Sequence, residues 1–541
     1  MICPQQSLPD YIEQTAGYCR YGYYPAASPV QICPHNRPMD YDIIIIGAGA
    51  GGGTLAYALA NTGQRILLIE RGDYLPREKE NWDADEIFLQ GRYQAPEQWL
   101  DAQSRPFDPQ AYYLVGGNTK FYGAALQRMR AEDFEDLHHA DGVSPGWPLT
   151  YDAFETYYTQ AESLFKIHGQ QGEDPTEPPM SADYPFPALP HEPRIQAVSD
   201  RLAEQGLTPV HLTLAVDRNV EQPHQSACIR CDTCDPYPCL LNAKLDAQTA
   251  CVDPALQHDN FTLLTNTQVT RLLTTADGRR VDRVEIATDR GLSILSARVV
   301  VVACGAINSA ALLLKSANEQ HPHGLANHSD QVGRNLMQHN HSALIAIAPE
   351  VNSTVFQKTL GIHDYYFSGP SQDYPLGQIQ LTGKAKWQRL AQMAPTELSQ
   401  AWLQYLSEHS VDWWVTTEDL PRPENRVQLT ADGKIQVNFT PNNLKPHMEL
   451  ISLLEQHLKE LDFYMFWHQR MDLSVFWHQV GTCRFGTDPQ SSVLDVNCRT
   501  HEVENLYVVD ASFLPSMGAM NPTLTIVANA LRVAGQLKAV L

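Results

Sequence analysis

Long apolar runs are missing from this chain: none approaches the roughly 20 residues needed to span a bilayer. The start, Met1-Ile2-Cys3-Pro4-Gln5-Gln6, lacks the basic and apolar stretches of a secretory signal, so a cytoplasmic protein is expected. Positive charge is scarce as well, with 39 Lys and Arg against 62 Asp and Glu and a formal net charge of −23. Phosphate-rich partners would be repelled, which argues against nucleic acid and anionic membrane. A disulfide framework is not indicated, because 11 cysteines is an odd count in a chain read as intracellular. Thiols or a metal site are the expectation instead. What remains is a globular composition, 43% hydrophobic and 19% charged. At 541 residues it is too long for one ordinary core, so two interleaved or sequential domains are expected.

The most informative segment is Tyr41-Asp42-Ile43-Ile44-Ile45-Ile46-Gly47-Ala48-Gly49-Ala50-Gly51-Gly52. Four consecutive isoleucines read as a strand covered on both faces, as in a parallel sheet. Gly47 permits a tight turn, Gly49 lets backbone approach a pyrophosphate, and Gly52 lets the helix that begins there pack closely on the strand. Glu70 ends the next apolar run, Arg65 to Glu70, where a ribose hydroxyl would need an acceptor. The pattern predicts a dinucleotide site with its phosphates at a helix N-terminus.

Residues 1 to 39 show little periodicity and read as an arm. Between about 150 and 225 the chain is rich in proline, which predicts loops and short helices. Leu263 to Leu273 and Val281 to Ile286 read as a β-meander turning at Ala276-Asp277-Gly278. Arg298 to Gly305 repeats the logic of a buried strand followed by glycine, leading into the small-residue helix Ala306 to Leu314. Leu506 to Asp510 is a last buried strand, followed by a loop and a helix from Thr525.

Four separated segments then point the same way. They are the N-terminal fingerprint, Gly116-Gly117-Asn118-Thr119, Gly305-Ala306-Ile307-Asn308-Ser309, and the block from His478 to Leu524. In this order the chain resembles the glucose–methanol–choline (GMC) oxidoreductases, flavoenzymes that oxidise alcohols. The resemblance covers nearly everything from residue 40 onward. Its most specific parts are His478-Gln479-Val480-Gly481-Thr482-Cys483, Val509-Asp510-Ala511-Ser512 and Asn521-Pro522-Thr523-Leu524.

The resemblance implies an α/β fold: a Rossmann-like FAD-binding domain with an interleaved α+β substrate-binding domain. The expected division is an arm (1–39), FAD-binding segments (40–150 and 226–334), an insertion that begins the substrate domain (151–225), the substrate-binding domain (335–475) and a catalytic and FAD-binding C-terminal segment (476–541). FAD is the implied cofactor. Gly47, Gly49 and Gly52 would hold its pyrophosphate, Glu70 its adenine ribose, and Val269 would meet adenine by its backbone. Gly116, Gly117, Asn118 and Thr119 would line the flavin's phosphate and ring side, with Asp510 and Ala511 near the pyrophosphate or ribityl chain. Pro522 and Thr523 would flank the ring. Phe121 stands where some members carry a histidine bonded to flavin, so non-covalent FAD is expected.

By the same resemblance His478 is the catalytic base and Asn521 its partner, its amide donating to the substrate oxygen while hydride passes to flavin N5. Phe466-Trp467-His468-Gln469 recurs as Phe476-Trp477-His478-Gln479, but only the second copy runs into the Gly481 turn. His468 therefore reads as a half-buried or surface histidine, and His339 as a flavin-shell or packing residue. Trp387, Trp402, Trp413 and Trp414 give the substrate domain an aromatic character compatible with a sugar or polyol, though core positions fit them equally. A small alcohol, with oxygen or another electron acceptor, is the expected partner.

One feature stands apart. Cys228, Cys231, Cys234 and Cys239 fall within twelve residues, a spacing close to that of iron–sulfur runs. Structural zinc, reduced thiols and a disulfide fit the same residues, and no metal ligand is assigned. Two other functions remain compatible with the sequence: a lyase or light-driven decarboxylase on the same fold, and an electron-transfer subunit whose FAD serves a cluster in the cysteine loop.

Overall fold

The computed structural model describes residues 39–541, except 110, 395–397 and 474–477. The N-terminal arm with Cys3, Cys19 and Cys33, and the pair Phe476-Trp477, lie outside the described residues.

Two sheets position the site. The first is parallel and has five strands, in the order Phe261–Leu264, Ile66–Ile69, Tyr41–Ile46, Ala297–Val302, Leu506–Val508. Its apolar runs do not alternate because both faces are covered: Ile43 to Ile46 are at most 4% exposed. Helices Ala50–Ala60, Ala306–Lys315 and Thr523–Val540 share its hydrophobic core. The central strand lies between neighbours from distant parts of the chain, and a ligand site forms at the carboxyl ends of strands where such an order reverses.

The first helix begins at Ala50, two residues before the expected start at Gly52. The chain can turn that early because Gly51 fits against the Val509 carbonyl and Gly52 against the Gly47 carbonyl, with no room for a Cβ at either. The predicted meander also needs correction. Leu263-Leu264 is the edge strand of the parallel sheet, and the meander itself is Gln268–Thr274, Val281–Thr288 and Gly291–Leu295. The break falls at Asn266, whose φ is +51° and whose amide donates to Gly72 O at 2.8 Å. Two apolar runs on either side of one turn look continuous in sequence even when they enter different sheets.

The second sheet is antiparallel and has six strands, in the order Met465–Arg470, Asn340–Ile347, Ser410–Thr417, Gln378–Leu381, Leu360–Ile362, Pro209–His211. One face packs on helices Pro193–Glu204 and Leu444–Glu460 through Leu344, Ala346, Val411, Trp413 and Val415. Their sequence neighbours Ala343, Ile345, Asp412 and Trp414 point the other way, into the cavity described next. Among the described residues no helix is long and apolar enough to cross a membrane.

Candidate active site

One cavity of about 480 Å³ runs from the carboxyl end of the parallel sheet to the inner face of the antiparallel one. At the first end it is lined by Gly47, Gly49, Glu70 and Val269, and farther along by Gly117, Asn118 and Thr119. Asp510, Ala511, His478, Asn521, Pro522 and Thr523 line it as well, His478 at the end by the antiparallel sheet. Gly52 and Gly116 lie behind this wall. Gly52 seats the helix on the first strand, and Gly116, with φ +98°, makes the turn that presents Gly117.

The glycine-rich end is built to bind through backbone. A Cβ on Gly47 would overlap the Ala303 carbonyl, whereas a Cβ on Gly49 would meet nothing of the protein within 4 Å. Gly49 is the N-cap of the first helix and offers no side chain to its amides. Free helix N-terminal amides beside an open glycine face suit a phosphate. Glu70 is buried, with Oε2 accepting from the Ala48 amide and Oε1 from the Gly72 amide, both at 3.0 Å. Burial raises its pKa above the usual carboxylate value, although both amides favour the charged form. The Thr267 amide bonds the Glu70 carbonyl at 3.0 Å, which brings Val269 beside Glu70.

Several expected contacts are used up inside the protein. The Asp510 carboxylate accepts from the Gly305 and Ser512 amides and from the Ser309 and Ser512 hydroxyls, so it can meet a ligand only through its backbone. Thr119 donates to Gly116 O at 2.5 Å and accepts from the Ala247 amide at 3.0 Å. Phe121 is buried and stacks on Tyr112 with centroids 3.7 Å apart. Tyr122 donates its hydroxyl to the Leu245 carbonyl.

The far end is a group of three imidazoles. His478 Nδ1 is 2.9 Å from His339 Nδ1 and 3.1 Å from His341 Nε2. His339 Nε2 is 2.9 Å from the Gly518 carbonyl, which can only accept, so that nitrogen carries the His339 proton. His339 Nδ1 is then an acceptor, and His478 must donate from Nδ1. The His478 lone pair is thereby left on Nε2. Burial first, and the nearby His339 second, hold the His478 pKa well below the usual imidazole value. Burial also lowers His339, to about 4, and lowers His341. The group is neutral at neutral pH.

Asn521 departs from its expected use. Its Nδ2 points at Ala125 O, Gln127 Oε1 and Gln380 Oε1, all at 3.2–3.3 Å. The Ala125 carbonyl accepts only, which fixes the amide orientation and leaves Oδ1, an acceptor, for the cavity. His339 and His341 belong to this site through direct contact with His478. His341 lies in a strand that is buried at every position and His339 immediately precedes it, so no alternation in sequence marks them. His468 sits on the outer strand, partly exposed and 3.3 Å from Glu455. Of the four tryptophans only Trp414 lines the cavity; Trp413 is in the core, and Trp387 and Trp402 lie on the short helices Trp387–Met393 and Gln400–His409.

The cysteine loop borders the same cavity through Asp235, Pro236 and Tyr237. Cys228, Cys231, Cys234 and Cys239 are all unbridged. Burial pushes Cys228 up to about 12 and Cys231 up to about 11, with the neighbouring thiols adding to each. In the same loop Arg230 Nε and the Tyr237 hydroxyl are buried with no hydrogen-bond partner among the described residues.

Models of the GMC oxidoreductase family match residues 41–341 and 421–530. Paromamine 6'-oxidase of Streptomyces fradiae is 29% identical over 523 residues, covering 91% of this chain and 90% of that protein. The 6'''-hydroxyparomomycin C oxidase of Streptomyces lividus is 30% identical with the same coverage. The fructose dehydrogenase large subunit of Gluconobacter japonicus is 26% identical, covering 92% and 98%. A crystal structure of pyridoxine 4-oxidase from Mesorbium loti superposes with a TM-score of 0.64 at 19% identity, over 92% of this chain and 99% of that one, a likeness of fold. With both family models matched over most of its length, the chain belongs to the GMC oxidoreductases and is an oxidoreductase acting on CH–OH groups.

Proposed function

We propose that this enzyme oxidises a hydroxyl of a sugar, polyol or similar polyhydroxylated alcohol to a carbonyl, with non-covalent FAD held along the cavity. The supporting observation is continuity: one cavity joins the glycine-lined, phosphate-accepting end to the His478–Asn521 end. The residues present fit the cofactor. Glu70 would meet the adenosine ribose, the amides after Gly49 the pyrophosphate, and Pro522 and Thr523 the ring. Bound FAD supplies the hydride acceptor.

The chain's own residues supply the rest. Neutral His478 accepts the hydroxyl proton at Nε2, while its Nδ1–H stays on His339 and His341. His339 selects that tautomer through Gly518. Asn521 Oδ1 accepts from a neighbouring substrate hydroxyl, which favours a substrate with more than one. The relatives fit that class, being named for oxidation of paromamine, 6'''-hydroxyparomomycin C and fructose.

Anaerobic mixing of the FAD-loaded enzyme with sugars, polyols and simple alcohols is the test. Bleaching of the flavin bands by polyhydroxylated compounds is expected. Retained FAD with no bleaching by any alcohol would leave the lyase or decarboxylase reading.

A second reading concerns the electron exit. Four unbridged thiols beside the cavity, with buried donors of Arg230 and Tyr237 unpartnered, suit an anionic iron–sulfur cluster. Electrons would then leave through the protein and not to oxygen. A brown absorbance beneath the flavin bands, lost in Cys231→Ser, supports it; a clean flavin spectrum with four titratable thiols removes it.

A further inference from the structure

Away from the cavity, two imidazoles and a carboxylate converge beside the parallel sheet. His321 and His328 follow the helix Ala306–Lys315, and Glu502 precedes the strand Leu506–Val508. Their ligand atoms all lie within 4.8 Å of one another. His321 Nε2 is 2.9 Å from the Gly278 carbonyl, and His328 Nε2 is 3.0 Å from the Gln320 carbonyl. Each carbonyl accepts, so each Nε2 carries its ring's proton and each Nδ1 of a neutral ring is a bare lone pair.

Both Nδ1 atoms face one carboxylate oxygen, and in neutral rings both would be lone pairs. Glu502 Oε2 is 2.6 Å from His328 Nδ1 and 3.4 Å from His321 Nδ1. The His328 amide donates to Glu502 Oε1 at 2.9 Å and holds the carboxylate in that orientation. The His321 ring is 4% exposed, and its Nδ1 is buried with no hydrogen-bond partner. Three electron-rich atoms thus share one space that asks for positive charge. Protons on both rings would satisfy these contacts as two ion pairs with Glu502, whereas a single divalent ion would bind all three ligand atoms at once.

The catalytic histidines form the contrasting case. There both nitrogens of His339 and His341 and Nδ1 of His478 can be paired as donor or acceptor, through Gly518 O, Thr416 Oγ1 or another ring, and only His478 Nε2 is left.

We propose that His321, His328 and Glu502 bind a divalent transition-metal ion, with zinc the best match. Two imidazoles and one carboxylate are a zinc ligand set, and ring N–H groups held by backbone carbonyls are the usual outer support of such ligands. His328 is half exposed, which leaves the fourth position to water. The ion joins three segments distant in sequence: the meander turn at Gly278, the His321–His328 segment and the turn at Glu502. Its role is to staple the sheet's edge, apart from the chemistry.

The test uses the full, untagged chain, stripped with chelator and then titrated with zinc in a calorimeter and with cobalt(II) in a spectrophotometer. One equivalent is expected at this site, raising Tm by on the order of 2 °C. The cobalt bands should be those of a nitrogen and oxygen site without thiolate charge transfer, which sets them apart from ions on the cysteine loop. His328→Ala, at an exposed ring, and Glu502→Gln should each weaken that equivalent by more than about a hundredfold. Alcohol-driven flavin reduction should not change. Zinc binding equal in both variants and wild type would overturn the proposal, as would wild-type binding no tighter than scattered surface histidines. Anomalous diffraction at the zinc edge gives a second readout: density between the three side chains supports the site, and its absence from zinc-soaked crystals rejects it.

Discussion

The two ends of the cavity are built by opposite means. At the glycine end the chain works through backbone: amides at a helix N-terminus, an open Gly49 and close packing at Gly47, Gly51 and Gly52. At the histidine end it works through side chains, with three rings and one amide whose hydrogen-bonding partners decide which atom is left free. The difference teaches how each end fails. The first is broken by adding atoms, the second by removing them.

The largest expected effect is at the second end. His478→Ala should slow anaerobic flavin reduction by about 10³-fold or more while FAD stays bound, as read by stopped-flow absorbance. At the first end Gly51 and Gly49 separate two functions of glycine. Gly51→Ala would push into the Val509 carbonyl and should cost several kcal/mol of stability, seen as a fall in Tm. Gly49→Ala should fold normally, because its Cβ meets no protein atom, and should lose FAD affinity instead. Equal Tm losses in the two variants would erase the contrast.

Tryptophan gives a similar pair one residue apart. Trp413→Ala empties a fully buried position and should cost about 4 kcal/mol in a denaturant titration. Trp414→Ala, on the cavity face, should act chiefly on KM.

The smallest effects concern pH. Because the His478 pKa is lowered, its ring stays neutral as pH falls through 6.5, and with His478 as the proposed base the acid limb of kcat/KM should lie well below that value. Stability runs the other way. A histidine held low in the fold but free to protonate when unfolded opposes folding as pH drops below about 6.5. His339, held to about 4, should account for about 3 kcal/mol of loss by pH 4. A denaturation midpoint unchanged between pH 7 and pH 5 would contradict this.

Legibility differed in the same way between the two ends. Four isoleucines, a glycine triplet and Glu70 announce a strand, a turn and an acceptor because each depends on neighbours within about thirty residues. The break at Asn266 was hidden, since the two runs beside it share one apolar pattern. His339 and His341 were not separable from packing residues, because His339 and every position of Asn340–Ile347 are buried and periodicity carries no direction there. Trp413 and Trp414 looked alike until the register of Ser410–Thr417 assigned them to opposite faces.

Local pattern alone therefore specifies the parallel strands, the glycine turn and the resemblance of the His478 block to a family of alcohol-oxidising enzymes. Those features follow from backbone sterics and apolar burial, which act over short stretches of chain. The protonation of His478 depends on His339 and Gly518, 139 residues before it and 40 after it. The orientation of Asn521 depends on Ala125, Gln127 and Gln380, and the convergence of His321 and His328 on Glu502 depends on a turn far along the chain. A hydrogen bond is satisfied only at a distance of about 3 Å, and only the folded chain brings such distant residues that close.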